Sequence, residues 1–246
     1  MINSFLTALR FLTIIPLGDS RKSTGLANAM PFFPAVGFLI GLASLAVFSI
    51  AEKFLPARAA VLLLMAVPVF LSAGLHVDGF TDFCDGFFGG RDKEGILRIM
   101  KDSRIGTWGA LGLFLLLAAK FELLQDLLLR PKIFLLAMTA SRWSQVIFSF
   151  FLPYARPEGG LGKSVAGKVS PGQTAGATVF LLLVVFWVGL TGLWILLGLA
   201  VFLFSLGLFV KRKLGGVTGD VLGAGSEVSE LFIFLLASIL LGGSHG

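Results

Sequence analysis

Between residues 76 and 104 the chain sets His76, Asp78, Asp82, Asp85, Asp92 and Asp102 beside Arg91, Lys93, Arg98, Lys101 and Arg104. Asp78, Asp82 and Asp85 are spaced i, i+4, i+7, so on a helix they fall within roughly 60° of one another. Like charges on adjacent turns repel. Three stacked carboxylates therefore suggest a shared hard cation, Mg2+ or Mn2+, that prefers oxygen ligands and leaves positions open for phosphates. The competing reading is a solvated acidic face neutralised by the nearby bases. Those bases suit an anionic substrate, arginine through planar bidentate contacts and lysine as a point charge, or else lipid headgroups.

The opposite face of the same segment carries Phe80, Phe83, Cys84 and Phe87, so the helix is amphipathic, and Gly89-Gly90 should end it. His76 points to a different face from Asp78 and reads as a packed histidine. Cys84, the single cysteine, excludes an internal disulfide and reads as packing on the apolar face. Asp102-Ser103 either caps the following apolar helix or joins the chemistry. Arg142, in TASRWSQ, falls inside an apolar span, where an arginine is costly and usually faces a polar cavity, so it is a candidate substrate contact. YARPEGGLGKS brings Arg156, Glu158 and Lys163 amid glycines without P-loop spacing, and KRKLGGVTGDVLGAGSEVSE supplies Asp220, Glu227 and Glu230. These acids either add a ligand or base or belong to a hinge between helices.

The elements that must position these residues are membrane helices. Hydrophobic residues make up 56% of the chain and charged residues 14%, against about 25% charged in soluble domains. Mean hydropathy is +0.93. The expected fold is all-α, one polytopic domain over 1–246. Its spans are expected near 32–51, 58–77, 107–128, 131–152, 174–190, 193–210 and 225–242. The second span should continue outward as the aspartate helix. Residues 174–210 are too long for one crossing, and Gly189, Thr191 and Gly192 offer a turn. The N-terminal stretch, with Arg10 in its middle and Pro16 at its end, reads as an interfacial helix and not a cleaved signal. Seven spans would put residues 1–31, 78–106, 153–173 and 211–224 on one side, with three, five, three and three Lys or Arg. Lys53, Arg58, Lys120, Arg130 and Lys132 would face the other. That asymmetry places the first set in the cytoplasm with the N-terminus inside, and it explains the net charge of +6 without nucleic acid.

Five segments carry a family resemblance: ALRFLTIIPLG, FFPAVGFLIG, LHVDGFTDFCDGFFGGRDKEGILRIMKDSRIGTWG, YARPEGGLG and GGVTGDVLGA. In this order they resemble the cobalamin synthase family, the adenosylcobinamide-GDP ribazoletransferases. The resemblance covers most of the chain; the aspartate segment is its specific part and the TGD segment a second check. It implies a Mg2+-dependent enzyme of the cell (inner) membrane that joins adenosylcobinamide-GDP to α-ribazole or its 5′-phosphate and releases GMP, late in cobalamin biosynthesis. On that reading the ribazole 5′-hydroxyl attacks the diphosphate. Asp78, Asp82 and Asp85 hold the metal, Asp92 or Asp102 completes its shell, and one acid among Asp82, Asp85 and Asp102 takes the proton. Arg91, Lys101 and Arg104 hold the diphosphate, and Arg142, Arg156 and Asp220 are further substrate contacts. The sequence leaves open a homo-oligomer and contact with other cobalamin-biosynthesis enzymes.

Two other readings compete. CDP-alcohol phosphotransferases also set aspartates on membrane helices, but with an Ala-Arg pair after the first Asp-Gly that DGFTDFCDG lacks. A cation transporter would keep its acids near the midplane, often in repeats or broken helices. Here they flank a span, and no repeat is visible.

Overall fold

The computed structural model describes residues 1–17, 24–127, 130–156 and 158–242. In chain order the helices are α1 (Ile2–Leu12), α2 (Leu26–Ala29), α3 (Phe33–Ala51), α4 (Ala57–Leu71), α5 (Leu75–Gly89) and α6 (Lys93–Ile99). They continue as α7 (Thr107–Leu127), α8 (Pro131–Phe151), α9 (Pro171–Val188), α10 (Leu190–Leu214) and α11 (Gly219–Gly242). Among the described residues the only β pairing is an isolated bridge between Tyr154 and Val217. Six segments are long and apolar enough to cross a membrane: Leu26–Ala51, Thr107–Asp126, α8, α9, α10 and α11. The bent pair α4 and α5 brings the number to seven if it counts as one span. The chain is a multi-pass membrane protein with a short apolar helix at its N-terminus.

The bundle is organised around α8, which is buried along nearly its whole length. Gly37 of α3 lies so close to the Met138 carbonyl of α8 that a side chain there would collide with backbone. This is the small-residue packing by which membrane helices gain contact without a hydrophobic driving force. On its other flank α8 meets α11, and α11 in turn packs on α5 and α7.

Two boundaries differ from those expected. The second span and the aspartate helix are not one rod; they meet at 88°. After Leu71 the chain turns through Ala73 and Gly74, both at positive φ (50° and 72°), and the Gly74 N–H closes back on the Val69 carbonyl at 2.8 Å. That is a left-handed helix stop, and the glycine is what makes it inexpensive. The last helix starts at Gly219, six residues before the expected 225, because Thr218 Oγ1 accepts the Val221 N–H and Asp220 sits in the first turn. The turn between α9 and α10 is where it was expected, at Gly189, whose φ of 91° and ψ of −152° suit glycine alone.

Candidate active site

The site is built around α5, which lies in a trough of small residues. On one side Gly79 faces the Asp220 backbone, and Gly223 of α11 faces the His76 backbone. On the other, Gly106, Gly109 and Gly112 of the α7 approach face Asp85, Thr81 and Cys84. At 106, 109 and 112 any side chain would collide, and at 79 and 223 it would be squeezed to 3.0 and 3.2 Å from the facing backbone. Cys84 is buried there, among Phe80, Leu116 and Ala224. The close fit fixes which way each aspartate of α5 points.

Asp82 and Asp78 turn toward the start of α11. Asp82 is half-buried and feels the charges of Asp220 and Asp78 most strongly, with Arg156 as the balancing cation. Arg156 reaches Asp220 Oδ2 at 2.6 Å and also bonds the Met100 carbonyl. The loop carrying Arg156 is pinned beside α11 by backbone bonds between Ala155 and Val217 (2.9 Å) and between Val217 and Pro153 (2.8 Å). Sequence spacing grouped Asp78 and Asp82 with Asp85. The fold groups them instead with Asp220 and Arg156, from segments far along the chain.

Asp85 is on a different duty. Its two carboxylate oxygens accept the N–H groups of Gly106 (2.7 Å) and Gly109 (2.8 Å), capping α7 from a neighbouring helix. These N–H groups have no partner within α7, and a carboxylate also suits the positive end of its dipole. One of the two readings of Asp102-Ser103, a cap of this helix, is not realised; Asp102 accepts from Arg104 instead. Asp92 caps α6, accepting the Gly95 N–H at 2.7 Å. Two of the four aspartates expected around a metal are therefore bonded to backbone. Among the described residues no three His, Cys, Asp or Glu side chains are arranged as a metal-holding group. Replacing Asp85 with Ala should lower unfolding free energy by about 1–2 kcal/mol, as loss of a helix cap does. Asp85→Asn should lie between, since its carbonyl keeps one acceptor; Tm in detergent would measure both.

The basic residues lie around the outer end of α5. Lys101 is paired with Glu158, which that ammonium holds below the usual glutamate range. Arg104 grips Asp102 through both its Nε (3.0 Å) and a terminal nitrogen (2.7 Å), and this holds the Asp102 carboxyl at about 2. Asp85, Asp102, Arg104, Gly106 and Trp108 line an open cleft of about 400 Å3. Arg91 is exposed just past the end of α5. These cations are on the surface, where exchanging a carboxylate partner for a phosphate costs little.

Arg142 is not part of this site. Only 1% exposed, it pairs with Glu230, which also accepts from Lys120 at 2.7 Å, while Lys120 reaches Glu227 at 2.6 Å. The four charges join α7, α8 and α11 inside the bundle. Lys120 was expected to face the solvent opposite the aspartates; it faces inward because two carboxylates of α11 await it. The spacing of Glu227 and Glu230, with Lys120 and Arg142 inside other apolar spans, was the available signal. His76 is packed, as its face implied, 2% exposed and behind the first turn of α11.

Comparison with known proteins gives a consistent answer. Residues 4–238 match the family described as Cobalamin-5-phosphate synthase. The chain is 37% identical to the adenosylcobinamide-GDP ribazoletransferase of Chlorobaculum tepidum, over 99% of its own length and 98% of the relative's. It is 39% identical to the enzyme of that name from Desulforamulus reducens, with 98% of each chain covered. It is also 39% identical to that from Klebsiella pneumoniae, over 96% of its own length and 99% of the relative's. No solved structure matches it significantly.

Proposed function

The chain belongs to the cobalamin-5-phosphate synthase family, and from that premise we propose that it joins adenosylcobinamide-GDP to α-ribazole or its 5′-phosphate and releases GMP. The observation that carries this reading is the meeting of Asp78 and Asp82 of α5 with Asp220 and Arg156, within family-matched sequence that runs almost end to end. The aspartate helix is half of a bent pair, a feature transporters also use, but the family match runs through it and favours the synthase over a transporter or a lipid phosphotransferase.

With the 5′-phosphate acceptor, which the family's description supports, we place the nucleophile elsewhere than the 5′-hydroxyl. An acceptor that yields a 5-phosphate product already bears phosphate at C5′, so its 5′-hydroxyl is not free to attack. The nucleophile is then a ring hydroxyl of the ribose, at C2′ or C3′. Its oxygen bonds to the cobinamide-bearing phosphorus, the bridging P–O bond breaks, and GMP leaves with the bridging oxygen. The protein must position, neutralise and accept a proton.

Asp82 is the acid we place at the attacking hydroxyl, since it is half-buried and no hydrogen bond ties up its carboxylate among the described residues. Arg156 is anchored by Asp220 and aimed at the same space, where it can meet a diphosphate oxygen. Lys101, Arg104 and Arg91 ring the outer end of α5 and suit the departing nucleotide. The donor set fits Mg2+ as a partial shell and not as a closed cage. Asp78 and Asp82, with Asp220 beside them, offer the one or two carboxylates that Mg2+ commonly takes while substrate phosphates and water complete it. When bound, the ion would neutralise charge on the diphosphate.

The loops bearing Asp102, Arg156 and Asp220 gather with the N-terminal segment at one end of the bundle, where Phe11 shares a cavity with Leu75, Gly162 and Gly219. The excess of Lys and Arg in these loops supports a cytoplasmic site in the cell membrane, with the N-terminus inside. Purified protein in lipid, given adenosylcobinamide-GDP, α-ribazole 5′-phosphate and Mg2+, should release GMP in step with corrinoid product. Absence of GMP, with turnover of a CDP-alcohol instead, would overturn the assignment.

A further inference from the structure

On the outside of the bundle α8 and α10 do not close against each other along their whole length. Between them runs an open groove of about 500 Å3, floored by Phe148 and Leu203 and walled by Trp143 and Gly207. Its rims are the largely exposed rings of Phe151 and Phe204. The Trp143 indole N–H is already used, donating to Thr178 at 2.9 Å. The lining is apolar with one exception: Lys211 at the end of α10. Lys211 is exposed, forms no ion pair among the described residues, and is followed by Arg212 and Lys213.

We propose that this groove holds one acyl chain of an anionic phospholipid, with the headgroup at Lys211. Both walls are membrane-spanning helices, so the groove opens on lipid. Its length agrees: from Ala200 to Lys211 along α10 is roughly 16 Å at 1.5 Å per residue, and one leaflet is about half of a ~30 Å hydrocarbon core. The cation stands at the end that meets the headgroups. It lies at the same end of the bundle as the aspartates, for Gly215, just past α10, lies beside the Lys93 ammonium that follows α5. Charge selects an anionic head over a zwitterionic one, and the groove distinguishes this lipid from those merely attracted to the basic surface.

The floor links the groove to the catalytic end. Phe148 packs against the backbone of α11 at Gly225, which only a glycine allows. α11 begins six residues earlier with Gly219 and Asp220. A chain seated on Phe148 thus rests one side chain away from the helix that carries Asp220.

The test is native mass spectrometry of the full chain in detergent, titrated with phosphatidylglycerol or phosphatidylcholine. Wild type should retain one phosphatidylglycerol in preference to phosphatidylcholine. Lys211→Gln should reduce that preference ~fivefold, the factor one lysine near an anionic surface contributes, while Lys213→Gln, outside the groove, should reduce it less. Gly207→Leu should abolish retention of the lipid; a side chain at 207 meets Phe148 only at ordinary contact distance, so it enters the groove without colliding. If Gly207→Leu is not monodisperse, Ala200→Leu fills the far end and serves the same purpose. Equal retention of both lipids, equal effects of the two lysine variants, or lipid retained by a filled groove would each overturn the proposal. So would cross-linking that shows α10 covered by a second copy of the chain.

Discussion

Asp82→Asn should reduce GMP release by at least about 100-fold, the scale of a lost general base, while leaving Tm unchanged or slightly raised. The stability half follows from the surroundings. Asp82 accepts no hydrogen bond among the described residues and lies among the like charges of Asp78, Asp220 and Asp85, so removing its charge relieves repulsion. The activity half follows from the chemistry. Asn is nearly the same shape but accepts no proton and binds Mg2+ weakly. Asp85→Asn is the necessary contrast, because there lost activity should come with lost stability through the α7 cap. GMP release rates and detergent melts on the two variants separate a catalytic acid from a structural one. Near-normal turnover by Asp82→Asn would remove this carboxylate from the mechanism.

The contrast between these two aspartates also shows where spacing stops being informative. Helical periodicity places Asp78, Asp82 and Asp85 on one face, and they are on one face. What periodicity cannot supply is the neighbour each meets. Asp85 lies one turn beyond Asp82, far enough along α5 to face the N–H groups opening α7 and not the first turn of α11. Glycines at 106 and 109 were the trace of that contact, since an Asp85 carboxylate this close excludes any side chain there. Apolar runs gave the spans, and Gly189 gave the turn between two of them, because both are local. The 88° bend after Leu71 was also local, written in Ser72-Ala73-Gly74, but the apolar run extends to Val77 and masks it. The pairing of Arg156 with Asp220 is not local. It depends on a short backbone pairing between Ala155 and Val217 that no hydropathy pattern announces. The grouping of the basic loops at one end needs only the span count, and among the described residues Lys120 departs from it by turning into the bundle.

Lys120 leads to the largest expected effect on stability, which is at Glu230 rather than at the candidate site. Glu230→Ala should destabilise the protein by about 3–5 kcal/mol, the cost of removing one partner from a buried ion pair. Glu230 is the shared member of the interior network, accepting from both Lys120 and Arg142, so its loss leaves Arg142 with only the Ser141 hydroxyl at 2.8 Å. Lys120 keeps Glu227 at 2.6 Å. Glu227→Ala should therefore cost less, since Glu230 remains to hold both cations. The ordering of the two variants is the discriminating measurement, because a general intolerance of α11 to substitution would make them equal. A third variant checks the cause: Arg142→Met in the Glu230→Ala background removes the stranded cation and should recover part of the loss, as apolar replacement of a buried ionic group often does. Failure of Arg142→Met to recover any stability would mean that packing around α11, and not the unpaired charge, sets the cost. Recovery would assign the four charges a structural role, holding α11 at the height and rotation that bring Asp220, seven residues before Glu227 and on the same face, against Asp82.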